Sequence, residues 1–247
     1  MCNMKYKYQL GKIGGKISIV KRDSSKIKSN KNTESKNTYC TMYIVRHGVT
    51  DWNEQRKLQG STDIPLNDRG REQAKVFADT LKDIHFDAAY SSDLSRAAET
   101  AQIILADREI EVKLSKALRE HNHGRTEGTT QQERETVKEL REPLEKFFAL
   151  SPQKQWHVKT FPDQESRHES STRFINEFRA IAAAHLNHTV LVGSHSGIMR
   201  QLLIVLGEME HEDFYKWRFE HTGYIKLHSD GVDFFVDDVV ELVPWIK

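Results

Sequence analysis

The apolar run Met42-Tyr43-Ile44-Val45 reads as a buried strand, and it ends directly on Arg46-His47-Gly48-Val49-Thr50. An always-charged guanidinium and an imidazole therefore stand at a strand's carboxyl end, the edge where open α/β sheets build their ligand sites. That pairing of donors suits an anion.

From Met42 onward, strand and helix patterns alternate, which predicts an α/β fold: a three-layer sandwich with a mostly parallel central sheet flanked by helices. Asn67 is a candidate N-cap. Ala74, Phe77, Ala78 and Leu81 follow at helical spacing, so the pattern predicts a helix over Asp68–Lys82. Phe86–Tyr90 reads as a strand, with Ser92 or Asp93 capping a helix that runs to about Leu105. A short strand is expected near Ile110–Leu114. Glu127–Phe148 is charged and helical in pattern, whereas Ser151–Ser166 shows little periodicity, and the block over about 121–170 reads as a small helical and loop cap insertion. Further expectations are a helix over Thr172–Leu186, a β-branched strand over Thr189–Gly193 and a helix over Ser196–Leu206. A final antiparallel pair, Tyr224–Leu227 and Phe234–Val239, closes across the turn signal Ser229-Asp230-Gly231.

Charge is uneven along the 247 residues. Met1–Thr41 holds ten Lys/Arg against two Asp/Glu, which leaves 27 against 34 for the remainder. This basic head is poor in periodic apolar residues and rich in Lys, Ser and Asn, a composition that cannot offset the entropy of ordering. It reads as an extension, disordered or only partly ordered, before a domain over 42–247. With a single Arg and no amphipathic run, it is a poor organellar targeting segment, and Ile17-Ser18-Ile19-Val20 is too short for a signal or membrane span. Neither nucleic acid nor membrane is expected as a partner. The two cysteines, Cys2 and Cys40, make no disulfide framework, so a reduced, cytoplasmic setting is the default.

Strand ends carry the chemistry. Arg46 and His47 follow one strand, Arg96 lies in the helix after the next, and His195 follows Thr189–Gly193. Each alone is most simply structural. Bringing two Arg and two His to one sheet edge without an anion would be electrostatically costly, and an anionic ligand removes the difficulty. Two competing readings are weaker. Gly193-Ser194-His195-Ser196-Gly197 is similar to the serine-hydrolase elbow but has His at its centre. His121-Asn122-His123 suggests a metal, yet lacks companions at ligand spacing, so the pair is expected to shape the entrance or face water.

In order along the chain stand Arg46-His47-Gly48-Val49-Thr50 with Trp52-Asn53, Gln59-Gly60, Asp63-Ile64-Pro65-Leu66, Gly70 with Gln73-Ala74, and Ser91-Ser92-Asp93-Leu94-Ser95-Arg96-Ala97 with Thr100-Ala101. Leu118-Arg119-Glu120, Gly124, Glu127-Gly128, and Ser194-His195-Ser196-Gly197 with Arg200 follow. With these residues the chain resembles the histidine phosphatase superfamily, in the branch that includes the cofactor-dependent phosphoglycerate mutases. The resemblance implies that His47 is the nucleophile forming a phosphohistidine. It implies that Arg46, Arg96 and His195 bind the non-bridging oxygens, helped by Asn53, Gln59 and the backbone amide of Ser196. Glu120 is implied as general acid and then general base, which asks for a protonated form accessible near neutral pH.

Phosphoglycerate mutases carry Arg-Tyr-Gly and Arg-Pro-Pro-Pro type stretches after the acid, and the stretch His121–Gly128 has neither. Phosphatase relatives favour a Pro-Gly-Gly-Glu-Ser type turn where this chain has Pro162-Asp163-Gln164-Glu165-Ser166, and Gly where it has Ser196. The expectation is a phosphatase acting on a small phosphorylated metabolite, with no metal and no organic cofactor. A mutase is the alternative within enzymes, and a non-catalytic phosphate-binding scaffold the alternative outside them. Substrate identity and oligomeric state stay open.

Overall fold

A computed structural model describes residues 10–13, 16–19 and 38–245. Leu10–Ile13 (β1) and Lys16–Ile19 (β2) pair antiparallel as a two-stranded sheet of their own. The rest of the head up to residue 37 lies outside the described residues, and with it the expectation of a disordered extension.

The main sheet is built from Cys40–Arg46 (β3), Ala88–Ser92 (β4), Val112–Ser115 (β5), Thr189–Ser194 (β6), Trp217–Ser229 (β7) and Phe234–Pro244 (β8), in the order β5-β4-β6-β3-β7-β8. The first four of that order run parallel, and β7 and β8 add an antiparallel edge. Both faces of β3 are buried. Met42 and Ile44 join one apolar cluster with Phe174, Phe178, Ile198 and Leu202, while Tyr43 and Val45 join another with Phe77, Leu81, Ala101 and Ile104. The period-two alternation of a strand thus fills two cores at once, which is why this run reads as continuously apolar. Each fully buried side chain, such as Phe174 or Phe178, contributes about 1.5–3 kcal/mol by burial. The result is the expected three-layer α/β sandwich.

Around the sheet lie the short Asp51–Glu54 (α1), Asp68–Thr80 (α2), Ser95–Ile104 (α3), Gln131–Thr136 (α4), Lys138–Phe148 (α5), Pro152–His157 (α6), Arg167–Ala184 (α7) and Ser196–Val205 (α8). Asn67 caps α2 as expected, its side-chain oxygen accepting from Gly70 N at 3.0 Å.

Several boundaries differ from the sequence reading. The cap of α3 is Leu94, which offers no side-chain bond. The carboxylate of Asp63 does the work from a distant loop, accepting from Ser95 N and Oγ at 2.7 Å each, while Asp93 is engaged by Arg119. The charged stretch Glu127–Phe148 is not one helix, because it begins only after a Thr130 capping box and breaks at the extended Val137. Ser151–Ser166, expected to be irregular, contains α6 behind a Ser151-Pro152 start. A Ser166 and Glu169 capping box starts α7 at Arg167 rather than Thr172. The strand expected at Tyr224–Leu227 extends over the whole of β7. Among the described residues no helix is long and apolar enough to cross a membrane.

Candidate active site

His47 and His195 leave the carboxyl ends of neighbouring parallel strands, and their rings lie 5.3 Å apart. Backbone packing sets the first of them. Its N–H donates to Ser194 O at 3.1 Å, and the next amide, Gly48 N, donates to Thr100 Oγ1 at 3.0 Å. Gly48 has no room for a side chain, since a Cβ there would sit 2.4 Å from the Gly70 carbonyl oxygen. The exit of β3 is therefore seated against the first turn of α2.

The His47 ring has a defined tautomer. Nδ1 lies 2.7 Å from Gly48 O, which can only accept, so Nδ1 carries the proton and Nε2 keeps its lone pair. Burial, followed by the charges of Arg96 and the neighbouring His195, holds its pKa well below the usual 6.5. His195 is lowered in the same way by burial and by Arg96 and Arg46. Both rings are neutral at physiological pH, which is the form a nitrogen nucleophile requires.

Two buried guanidinium groups face this pair. Arg46 ends β3 and donates through Nη1 to Phe219 O; Arg96, fully buried in α3, donates to Thr62 O at 2.9 Å and Gly60 O at 2.6 Å. Burial pulls each down to about 10, with Glu120 among the charges opposing the shift, so both stay cationic at neutral pH. Arg46 Nε, Arg96 Nε and both ring nitrogens of His195 are buried with no protein partner. The two guanidinium N–H groups and the single N–H of the neutral His195 ring, unpartnered around two cations, suit a tetrahedral anion.

Glu120 follows β5. Its Oε2 accepts from Gly197 N at 2.8 Å and its Oε1 from Ile198 N at 3.1 Å and His121 N at 2.9 Å, so the carboxylate lies across the first turn of α8. The segment before it is clamped by Arg173, which forks onto Glu165 and donates to Ala117 O at 2.8 Å and Arg119 O at 3.0 Å. In the Pro162–Ser166 turn, Glu165 anchors Arg173 and Ser166 caps α7.

The remaining residues expected to hold phosphate differ in how they are used. Gln59 is buried and its Oε1 has no protein partner. Asn53 Oδ1 is taken by Thr50 N and Thr50 Oγ1, both at 3.1 Å, and by His221 Nε2 at 3.2 Å, so the oxygen is engaged within the protein. Ser196 opens α8, and its hydroxyl accepts from Phe219 N at 3.3 Å, tying α8 to β7. His121 does not face water: it is buried, with Nδ1 3.0 Å from Ser170 Oγ, and burial lowers it to about 3.

His221 is the residue the sequence reading missed. The β7–β8 register shifts between Phe219 and Tyr224, Thr222 adopts a left-handed φ of 64°, and the His221 ring arrives 6.1 Å from that of His47. Burial and Arg46 lower its pKa to about 2, so it too is neutral. A bulge is a tertiary feature, and no local pattern marked it.

This is the architecture of α/β enzymes that act on phosphate esters. The histidine phosphatase superfamily (branch 1) matches residues 42–241, and the chain belongs to that superfamily. It is 36% identical over 166 residues to phosphoglycerate mutase-like protein 4 of Arabidopsis thaliana, covering 66% of this chain and 70% of that protein. It is also 31% identical over 160 residues to the uncharacterized phosphatase PhoE of Bacillus subtilis, covering 65% and 74%. The solved phosphoglycerate mutase of Bacillus anthracis superposes with a TM-score of 0.69 at 28% identity, over 84% of this chain and 95% of that one.

Proposed function

We propose that the protein is a phosphatase that hydrolyses a small phosphomonoester through a phosphohistidine on His47. The observation that carries this reading is the His47 ring, whose Nδ1 proton is committed to Gly48 O while Nε2 is left as a neutral nucleophile beside Arg96 and His195. Nε2 attacks phosphorus as the bond to the ester oxygen breaks, and the leaving alkoxide takes a proton from Glu120. The resulting Glu120 carboxylate then takes a proton from water, whose oxygen attacks phosphorus. The N–P bond breaks, releasing inorganic phosphate and restoring neutral His47. Arg46, Arg96 and His195 hold the non-bridging oxygens throughout, with Gln59, Asn53 and the Ser196 amide completing the cradle.

Three backbone N–H groups donate to the Glu120 carboxylate, which serves as the base of the second half-reaction. In the first half the carboxyl must give up one of those bonds to point its proton at the leaving oxygen. The His121–Gly128 stretch lacks the added basic motifs of mutases, which supports water rather than a second phosphate ester as acceptor. The test is a screen of phosphorylated metabolites for release of inorganic phosphate, with His47→Ala alongside. Loss of at least about 10³-fold in turnover is expected, together with an acid-labile phosphoenzyme in the unmodified protein only. Equal rates for the two proteins would overturn the mechanism. Transfer of phosphate between positions of phosphoglycerate with little free phosphate would make the enzyme a mutase.

A further inference from the structure

Between Arg96 and Glu127 runs a bridge made of backbone. The Gly60–Ser61 peptide unit accepts from Arg96 Nη2 at 2.6 Å through its carbonyl and donates to Glu127 Oε1 at 2.9 Å through its N–H. Thr62 joins the same two groups through adjacent peptide units: its carbonyl takes Arg96 Nη1 at 2.9 Å, while its N–H donates to Glu127 Oε2 at 2.7 Å and its hydroxyl donates to the same oxygen. A cation and an anion thus polarise the same loop from opposite sides, and each strengthens the other's hydrogen bonds. Gly60 sits at φ +61°, and a Cβ on it would lie 2.1 Å from Glu127 Oε1, so the carboxylate abuts the loop where only glycine fits. The same Oε1 accepts from His123 N at 2.8 Å, and Ser61 Oγ donates to Glu120 O at 3.2 Å. One carboxylate therefore links the loop that aims Arg96 to the segment that carries Glu120.

We infer that Glu127 is a positioning residue, which fixes the Arg96 guanidinium for the phosphoryl group by anchoring the loop 60–62; this rests on the phosphatase reading above. Arg96 has two of its N–H groups spent on Gly60 O and Thr62 O, and those two bonds fix the plane in which the rest, including the unpartnered Nε, are presented. Removing the negative charge of Glu127 frees the loop amides and with them that plane.

The experiment measures orthovanadate binding by calorimetry on the full chain, for the unmodified protein, Glu127→Gln, Arg96→Lys and the double variant. Glu127→Gln is expected to weaken vanadate binding by roughly ten- to a hundredfold, and Arg96→Lys to add little further loss in the Glu127→Gln background. A residue that only staples a surface loop would lower the melting temperature, leave vanadate affinity unchanged and combine additively with Arg96→Lys; either unchanged affinity or additivity overturns the assignment. Thr62→Val, which removes one hydroxyl contact to Glu127, serves where Glu127→Gln does not fold. It is expected to weaken vanadate binding severalfold, and unchanged binding again overturns the assignment. Absence of vanadate binding by the unmodified protein would overturn the phosphatase reading, and this assignment with it.

Discussion

The carboxylate of Glu120 lies over the amide of Gly197 at 2.8 Å, and a Cβ built on Gly197 would stand 2.5 Å from Glu120 Oε1. The helix whose first turn follows His195 thus also receives the Glu120 carboxylate. Only a residue without a side chain permits the approach.

Gly197→Ala is therefore expected to displace Glu120 while leaving Arg46, His47 and Arg96 in place. Turnover should fall about a hundredfold, the scale of a lost general acid and base, whereas inhibition by orthovanadate should change less than about threefold. Steady-state kinetics with and without vanadate measure both quantities.

Vanadate itself is expected to inhibit the unmodified enzyme in the micromolar range, because it can adopt the five-coordinate geometry of a phosphoryl group in transfer while taking up the unpartnered donors of Arg46, Arg96 and His195. Activity that persists at millimolar vanadate would contradict the arrangement.

Stability is expected to depend on pH with a definite sign. His47, His121 and His195 are buried with pKa values depressed below 6.5, so below that pH the unfolded chain binds protons that the native state refuses. Their contribution is complete above about pH 6.5 and is lost progressively as the pH falls toward the native-state values, at about 1.4 kcal/mol per pH unit for each histidine. Chemical denaturation at pH 7.5 and 5.5, without phosphate, should show the lower stability at pH 5.5. His121→Asn should reduce the difference.

His221→Ala removes the Nε2 contact to Asn53 Oδ1 and opens the side of the pocket facing His47. A fall of about tenfold in kcat/KM is expected. Because both act on one hydrogen-bonded pair, His221→Ala and Asn53→Ala should combine to less than the product of their separate effects. A fully multiplicative double variant would separate the two residues.

Asp63→Ala deletes the carboxylate that accepts from Ser95 N and Oγ, the substitute N-cap of α3. A loss of about 1 kcal/mol in unfolding free energy is expected, and urea titration measures it.

Much of this architecture was legible because local and global signals agree. The runs at Met42–Val45 and Thr189–Gly193 are buried on both faces, and Asn67 sits immediately before its helix. Arg46, His47 and His195 share one edge because each follows a strand, and parallel strands bring their carboxyl ends together. The start of α7 was equally written in the chain: Ser166 and Glu169 have capping-box spacing, as do Thr130 and Glu133, and Ser151-Pro152 signals α6. Apolar periodicity, which develops only further along α7, pointed to Thr172 instead. His221 and the Asp63 cap were beyond such reading, because each acts across a contact that exists only once separate segments have packed. The same holds for Asn53, whose oxygen turned out to be engaged by His221.

The displaced residues 220–223 in the antiparallel edge have a further meaning. Where a ladder is interrupted, length and side chain can change without sliding the register on either side, and β3 remains anchored to β6 on its other flank. The wall next to the His47 ring is thus mounted on an interrupted stretch of the ladder. Changes there can reshape the space beside His47 with the parallel half of the sheet untouched.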